Sequence, residues 1–221
     1  MISFLFREAG ANDIPFLVNT IIEAEKSGTN KLSYCTVFGL TEAETGKYLS
    51  EMLSEDIDGC ELSISSFLIA EKDGQPAAAL SAWIEGFQGV PSAVLKGNLL
   101  NFILPKEKIM NASHVNPIIR ELNIEYSPNS IQIGAGYVSG EFRGNNLLGT
   151  LTGEIIKRLV NMKPDVSDVY AQIFSCNIPS IKTYEKAGFR TILEKEAVNK
   201  EIKFYLPSDK KILMKKELFT L

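Results

Sequence analysis

Between Ser139 and Gly149 the chain reads Ser-Gly-Glu-Phe-Arg-Gly-Asn-Asn-Leu-Leu-Gly, a glycine- and asparagine-rich stretch between two apolar runs. The start of a helix leaves backbone N–H groups without partners, and the helix dipole adds about half a positive charge there. Gly144 and Gly149 let an anion approach the main chain, so this turn has the makings of a phosphate site. Turns of this composition also occur with no ligand, and the turn alone leaves both readings open. Further on, Asn177 is placed to cap a short helix from Ile178 to Ala187, which Gly188 stops. Tyr184 lies about two helical turns beyond Asn177. There it either serves chemistry or packs its ring under a sheet beside Ile181.

The elements that must position these residues follow from periodicity. Ile131 to Val138 reads as a strand, Gly144 to Asn161 as a helix carrying Leu147, Leu148, Leu151, Ile155 and Leu159, and Val169 to Ser175 as a second strand. A strand-helix-strand unit of this kind is almost always parallel and right-handed. Upstream, Phe67 to Glu71 and Ala77 to Ile84 flank Asp73-Gly74, a hairpin signal because both positions tolerate positive φ. That pair is antiparallel, so the sheet must be mixed.

Ser3 to Arg7 reads as a short strand. A helix opens at Asn12-Asp13, carries Ile14, Leu17, Val18, Ile21 and Ile22 at helical spacing, and ends at Gly28. A second helix starts at Thr41, where Thr41 and Glu44 make a T-x-x-E capping box, and buries Tyr48, Leu49, Met52, Leu53 and Ile57. Seven carboxylates against one lysine lie between Thr41 and Glu61; they read as a solvated face rather than the rim of a site for a cation. Gln88 to Ser130 is too long for a plain loop and is expected to hold one or two short helices, with Pro128-Asn129 turning into the next strand. Phe189 to Leu193, Ile202 to Leu206 and Lys211 to Leu218 read as two or three closing antiparallel strands.

Composition narrows the function classes. A chain of 221 residues with 45% hydrophobic content supports one large core, and a single domain is expected. Lysine and arginine number 23 against 27 acidic residues, which argues against nucleic acid as a partner. Cys35, Cys60 and Cys176 are odd in number and widely spaced, so neither a disulfide framework nor a metal site is expected, and a cytoplasmic setting fits. The start lacks the lysine-rich, apolar pattern of a signal peptide, and no apolar run is long enough to span a membrane.

The segment from Ile131 to Gly149 resembles the acyl-CoA-binding motif of the GNAT superfamily of N-acyltransferases, in which a strand leads into a turn of pattern R/Q-x-x-G-x-G/A. Here the pattern reads Arg143-Gly144-Asn145-Asn146-Leu147-Leu148. Asn146 and Leu148 stand where the family prefers glycine and a small residue, and asparagine tolerates the left-handed backbone such a turn needs. Asn177-Ile178-Pro179-Ser180-Ile181-Lys182-Thr183-Tyr184-Glu185-Lys186-Ala187-Gly188-Phe189 is similar to the family signature N-x-x-(A/S)-x-x-x-Y-x-x-x-G-F throughout.

The resemblance implies an α/β (α+β) fold, a mixed and mostly antiparallel twisted sheet around a central β-α-β acyl-CoA-binding unit, with residues 88–130 inserted between strands and shaping the acceptor site. It implies acetyl-CoA as cosubstrate. The amides from Arg143 through Gly144, Asn145, Asn146, Leu147, Leu148 and Gly149 would hold the pyrophosphate, and Tyr137 and Val138 would pair with the pantetheine arm. Asn177 would offer its amide to a pantetheine carbonyl, with Ser180 at the small position of the signature. Tyr184 would stand near the sulfur. A phenol of ordinary pKa about 10 can give the departing thiolate its proton at neutral pH.

The implied reaction moves an acetyl group directly to an amine, of a small molecule or a peptide, in a monomer or homodimer. Two rivals come from other classes: a silent acyl-CoA-binding sensor of the same fold, and an interaction domain whose turn is empty. Many members carry a glutamate on the strand before the turn, and the matching position here is Gly134. Glu85, His114 and Glu125 are the nearest carboxylates or imidazole by strand order, each read more simply as a surface residue, so no base is assigned. Gly134 and Gly136 inside a strand point to a bulge or a close backbone approach. Trp83 reads as a core residue of a central strand that could also line the acceptor pocket.

Overall fold

In the computed structural model, which describes residues 3–218, strand β1 (Leu5–Glu8) leads to helix α1 (Ile14–Lys26), which buries Leu17, Ile21 and Ile22. The helix ends where Ser27 and Gly28 take φ values of 49° and 78°. A six-residue helix follows, α2 (Ser33–Phe38), too short to show a legible apolar period in sequence. The capping box opens α3 (Glu42–Glu55): Glu44 N donates to Thr41 Oγ1 at 3.1 Å and Thr41 N to Glu44 Oε2 at 2.7 Å. Strands β2 (Phe67–Lys72) and β3 (Gln75–Ile84) form the antiparallel hairpin, with Asp73 and Gly74 at φ 51° and 80° as a primed two-residue turn requires.

The insertion holds α4 (Ser92–Ile103) and α5 (Lys106–Ile119), helices of 12 and 14 residues rather than the short ones expected. Next come β4 (Ile131–Val138), α6 (Leu147–Met162), β5 (Asp168–Phe174) and α7 (Ile178–Lys186). The chain closes with β6 (Arg190–Glu196), α8 (Ile202–Tyr205) and β7 (Lys210–Glu217).

Two local expectations are corrected. Helix α6 begins at Leu147, not Gly144, because Gly144 and Asn146 sit at φ 86° and 54°, outside helical geometry. Ile202 to Leu206 is a short helix rather than a strand: Leu206 N donates to Ile202 O at 2.9 Å. Its burial explains why, since Ile202 and Leu206 point inward one turn apart while Phe204 is 73% exposed. Alternation would have put Phe204 on the buried face with them.

Among the described residues seven strands make one sheet, in the order β1-β2-β3-β4-β5-β7-β6. Every neighbouring pair is antiparallel except β4 with β5, the pair that α6 connects. The mixed, mostly antiparallel sheet around a β-α-β unit is therefore as expected. Helices α6 and α7 cover one face, where Leu151, Ile155 and Tyr184 pack with Leu80, Ile131, Val169 and Met214. Helices α1 and α3 cover the other, over Phe67, Ile69 and Ala79. Burying each large aliphatic side chain contributes about 1.5–3 kcal/mol, so both layers hold the sheet in place. A third cluster, Val37, Leu122, Ala197, Ile202 and Leu206, ties α2 and α8 to the insertion. Among the described residues no helix is long and apolar enough to cross a membrane.

Candidate active site

Strands β4 and β5 pair only where Ile131 to Ile133 meets Val169 to Ala171. Beyond Ile133 the two part company: β4 continues to Val138 beside β3, and β5 to Phe174 beside β7. The parting coincides with a bulge. Pairing steps from Ala82 with Ile133 to Leu80 with Gly136, so Gly134 and Ala135 together oppose Ser81. Glycine is required there, because a Cβ on Gly134 would lie 2.4 Å from Ser81 Oγ and 2.8 Å from the Trp83 ring. A Cβ on Gly136 would lie 2.9 Å from Leu80 and 3.2 Å from Leu148.

Between the separated strands lies a cavity of about 250 Å³ that passes through the sheet. The side toward α6 and α7 is lined by Leu148, Asn177, Ser180 and Tyr184, and its one titratable group among the described residues is Tyr184. Asn177 caps α7, its Oδ1 accepting from Ser180 N at 3.3 Å, while its Nδ2 makes no hydrogen bond among the described residues. Tyr184 is buried, edge-on to Phe189 at a centroid distance of 5.3 Å. Packing and cavity lining are thus both true of it. Burial pushes its phenol well above the ordinary value, so it keeps its proton at any physiological pH.

The turn before α6 lies at the end of β4. Asn146 supplies the left-handed residue that glycine supplies elsewhere, and no side chain caps the helix start. No side chain therefore satisfies its first N–H groups. A Cβ on Gly149 would come within 2.6 Å of Asn146 Oδ1, so the two residues depend on each other. Asn145 Nδ2 donates to Phe142 O at 2.9 Å and Arg143 Nε to Val138 O at 3.4 Å, which folds the turn onto the strand end. Tyr137 packs its ring on Phe16, and Val138 packs into the core. From Gly134 to Val138 the edge of β4 on the β5 side has no strand partner.

The side toward α1 to α4 is charged. Glu25 from α1, Tyr34 from α2, Glu61, Lys96 from α4, Tyr126 and Lys211 from β7 all line the cavity. Glu61 and Lys96 form an ion pair, and Tyr126 donates to Glu61 Oε2 at 3.3 Å. Burial works against the Lys96 ammonium, yet Glu61 and neighbouring acidic groups hold its pKa well above the ordinary value. Burial raises the Glu25 carboxyl, with Lys96 and Lys211 pulling it back and Glu61 pushing it further up.

Sequence reasoning missed this set. Glu25 sits one turn past Ile21, on the apolar stripe of α1, and a carboxylate in a buried stripe was the available signal. Glu61, between buried Cys60 and Leu62, belongs to the cavity and not to a solvated face. Lys96 and Tyr126, which line this side, come from the insertion.

The three residues nearest to a base by strand order do not line the cavity. His114 and Glu125 are exposed. Glu85 is buried rather than on the surface, and is fully engaged: it accepts from Trp83 Nε1 at 3.1 Å, from Ser92 N at 3.0 Å and from Ser92 Oγ, opening α4. Trp83 is buried and also lines the cavity, edge-on to Tyr126 at 5.5 Å.

Neither a family model nor a curated protein matches this sequence. Solved structures do match in three dimensions. An N-acetyltransferase from Staphylococcus aureus Mu50 superposes with a TM-score of 0.66, covering 96% of this chain and 100% of its own at 12% identity. The chain has the GNAT acetyltransferase fold. A GNAT-family acetyltransferase from Streptococcus pneumoniae gives a TM-score of 0.52 over 98% and 100% of the two chains, at 16% identity. A Drosophila melanogaster polyamine N-acetyltransferase gives 0.57 over 98% and 100%, at 14% identity.

Proposed function

We propose that this GNAT-fold protein is an acyltransferase that moves an acetyl group from acetyl-CoA directly to an amine. One observation carries the reading: a single cavity runs between the separated ends of β4 and β5, with a proton-bearing phenol on one side and paired and unpaired charges on the other. The residues fit the cosubstrate. The N–H groups from Gly144 to Gly149, at the turn into α6, suit a pyrophosphate, whereas the Arg143 N–H is taken up by Gly140 O at 3.3 Å. The unpaired edge of β4 at Tyr137 and Val138, the idle Nδ2 of Asn177, and Ser180 suit an amide-bearing arm. Ser81 Oγ, fully buried beside Gly134, has no hydrogen-bond partner.

Bound acetyl-CoA supplies the acetyl group as a thioester. Tyr184 Oη holds the proton that the departing sulfur needs, and its apolar surroundings keep that proton in place until the sulfur takes it. We read the chain as one acetyltransferase domain in which residues 88–130 wall the acceptor side. We place it in a reducing cytosol, the setting that three widely spaced cysteines suit.

Titration calorimetry with acetyl-CoA and a thiol-release assay with amines test the reading. Binding with turnover is expected. No binding at millimolar acetyl-CoA ends it, and binding without turnover of any amine favours a sensor of the same fold.

A further inference from the structure

The charged side of the cavity contains one closed ion pair and two open charges. Glu61 and Lys96 satisfy each other, with Tyr126 on Glu61. Glu25 and Lys211 line the same cavity, and neither has an ion-pair partner among the described residues. The Lys211 ammonium stands 5.2 Å from the centre of the Phe174 ring, a contact that uses none of its N–H donors. Both are half-buried; burial, the largest influence on each, raises the Glu25 carboxyl and lowers the Lys211 ammonium, and the opposite charges across the cavity offset only part of it. A half-buried charge without an ion pair gains from a ligand of opposite charge, which favours a ligand that answers both.

We propose that the acceptor is a compact zwitterion, an amine carrying its own carboxylate in the manner of an amino acid, whose ammonium faces Glu25 and whose carboxylate meets Lys211. The inference rests on reading the cavity as the acetyl-transfer site. A polyamine would bring a second cation beside Lys211, and a neutral aromatic amine would leave Lys211 unanswered. A cavity of about 250 Å³, shared with the acetyl group, suits a compact acceptor, and a second cavity of about 510 Å³ adjoins it at Glu25, Tyr34 and Lys96.

The proton balance assigns Glu25 a role that no residue of β4 fills. Glu25 takes one proton from the ammonium. The free amine then forms the C–N bond to the acetyl carbon as the C–S bond breaks. Tyr184 protonates the sulfur and recovers a proton from the nitrogen, and Glu25 releases its proton to solvent. One acetylated amine, one thiol and one proton result.

The test follows thiol release with the proteinogenic L-amino acids and, for phenylalanine, tyrosine and histidine, with the matched amines phenethylamine, tyramine and histamine. Acetyl-CoA binding is measured alongside by calorimetry. At least one amino acid is expected to exceed its matched amine by about 100-fold in kcat/KM, the scale of a lost hydrogen bond to a charged group. Lys211→Met and Lys211→Gln should bring that ratio near unity by lowering kcat/KM for the amino acid far more than for the matched amine. Glu25→Gln should lower kcat and raise KM for the amino acid while acetyl-CoA affinity persists. Equal or faster turnover of the matched amines, an unchanged ratio in both Lys211 variants, or acetyl-CoA binding with no amino acid acetylated would each overturn the inference and leave acetyl transfer standing. Failure to bind acetyl-CoA would remove the acetyl-transfer reading and the acceptor with it.

Discussion

Gly134 lies against Ser81 so closely that a methyl group on its Cα would come within 2.4 Å of the hydroxyl oxygen. This contact marks the bulge at which β4 leaves β5, so the opening of the sheet depends on a missing side chain. Gly134→Ala should cost about 1–3 kcal/mol of stability, the usual range for overpacking a filled site. It should also weaken acetyl-CoA binding. Denaturant titration beside calorimetry checks both. Adding Ser81→Ala should recover part of the stability, and only part, because the Trp83 ring still stands 2.8 Å from the added methyl.

Tyr184→Phe keeps the ring that packs on Phe189 and removes only the proton donor. We expect kcat to fall by about 100-fold or more, the low end for general acid catalysis. Acetyl-CoA affinity and melting temperature should stay near wild type. An unchanged kcat would leave Tyr184 a packing residue alone.

Glu61 and Lys96 are 18% and 29% exposed at their side chains. Removing one partner should therefore cost less than the about 3–5 kcal/mol seen for a fully buried pair. Glu61→Leu and Lys96→Met should each destabilise the fold, and the double variant should lose less than the sum of the two. A double-mutant cycle by denaturant unfolding measures the coupling. Strict additivity would show the pair to be independent charges.

Glu25 carries the clearest pH signature. Its folded pKa is raised by burial above the ordinary carboxylate value, so folding prefers the protonated form. The stability tied to that proton is complete below the unfolded value of about 4.3 and is lost as pH rises through the raised folded value. Wild type and Glu25→Gln should melt alike at low pH and diverge as pH rises, the variant being the more stable at neutral pH. Thermal melts across that range decide it, and parallel curves would place Glu25 in contact with water or with a compensating cation such as Lys96 or Lys211.

Much was legible without coordinates because much of it is local. The Thr41-Glu44 box, the Asp73-Gly74 turn, the Asn177 cap and the strand-helix-strand run from Ile131 are decided by neighbours a few residues away. Ile202 to Leu206 was misread because its five residues fit both periods, and only the cluster with Val37 and Leu122 selects the helical one. Helix α2 was missed because six residues hold too few apolar positions to show a period.

The sequence by itself determined the turn before α6, the helix bearing Tyr184 and the mixed sheet around them, since hydrogen-bond caps, backbone sterics and hydrophobic period act over short distances. The tertiary structure alone decided what faces the cavity. Glu25, Glu61, Lys96 and Lys211 lie on four separate segments, and no spacing along the chain connects them. They meet because the bulge at Gly134 parts two strands, and α1, α4, β7 and the connection between α3 and β2 each bring one charge to the gap.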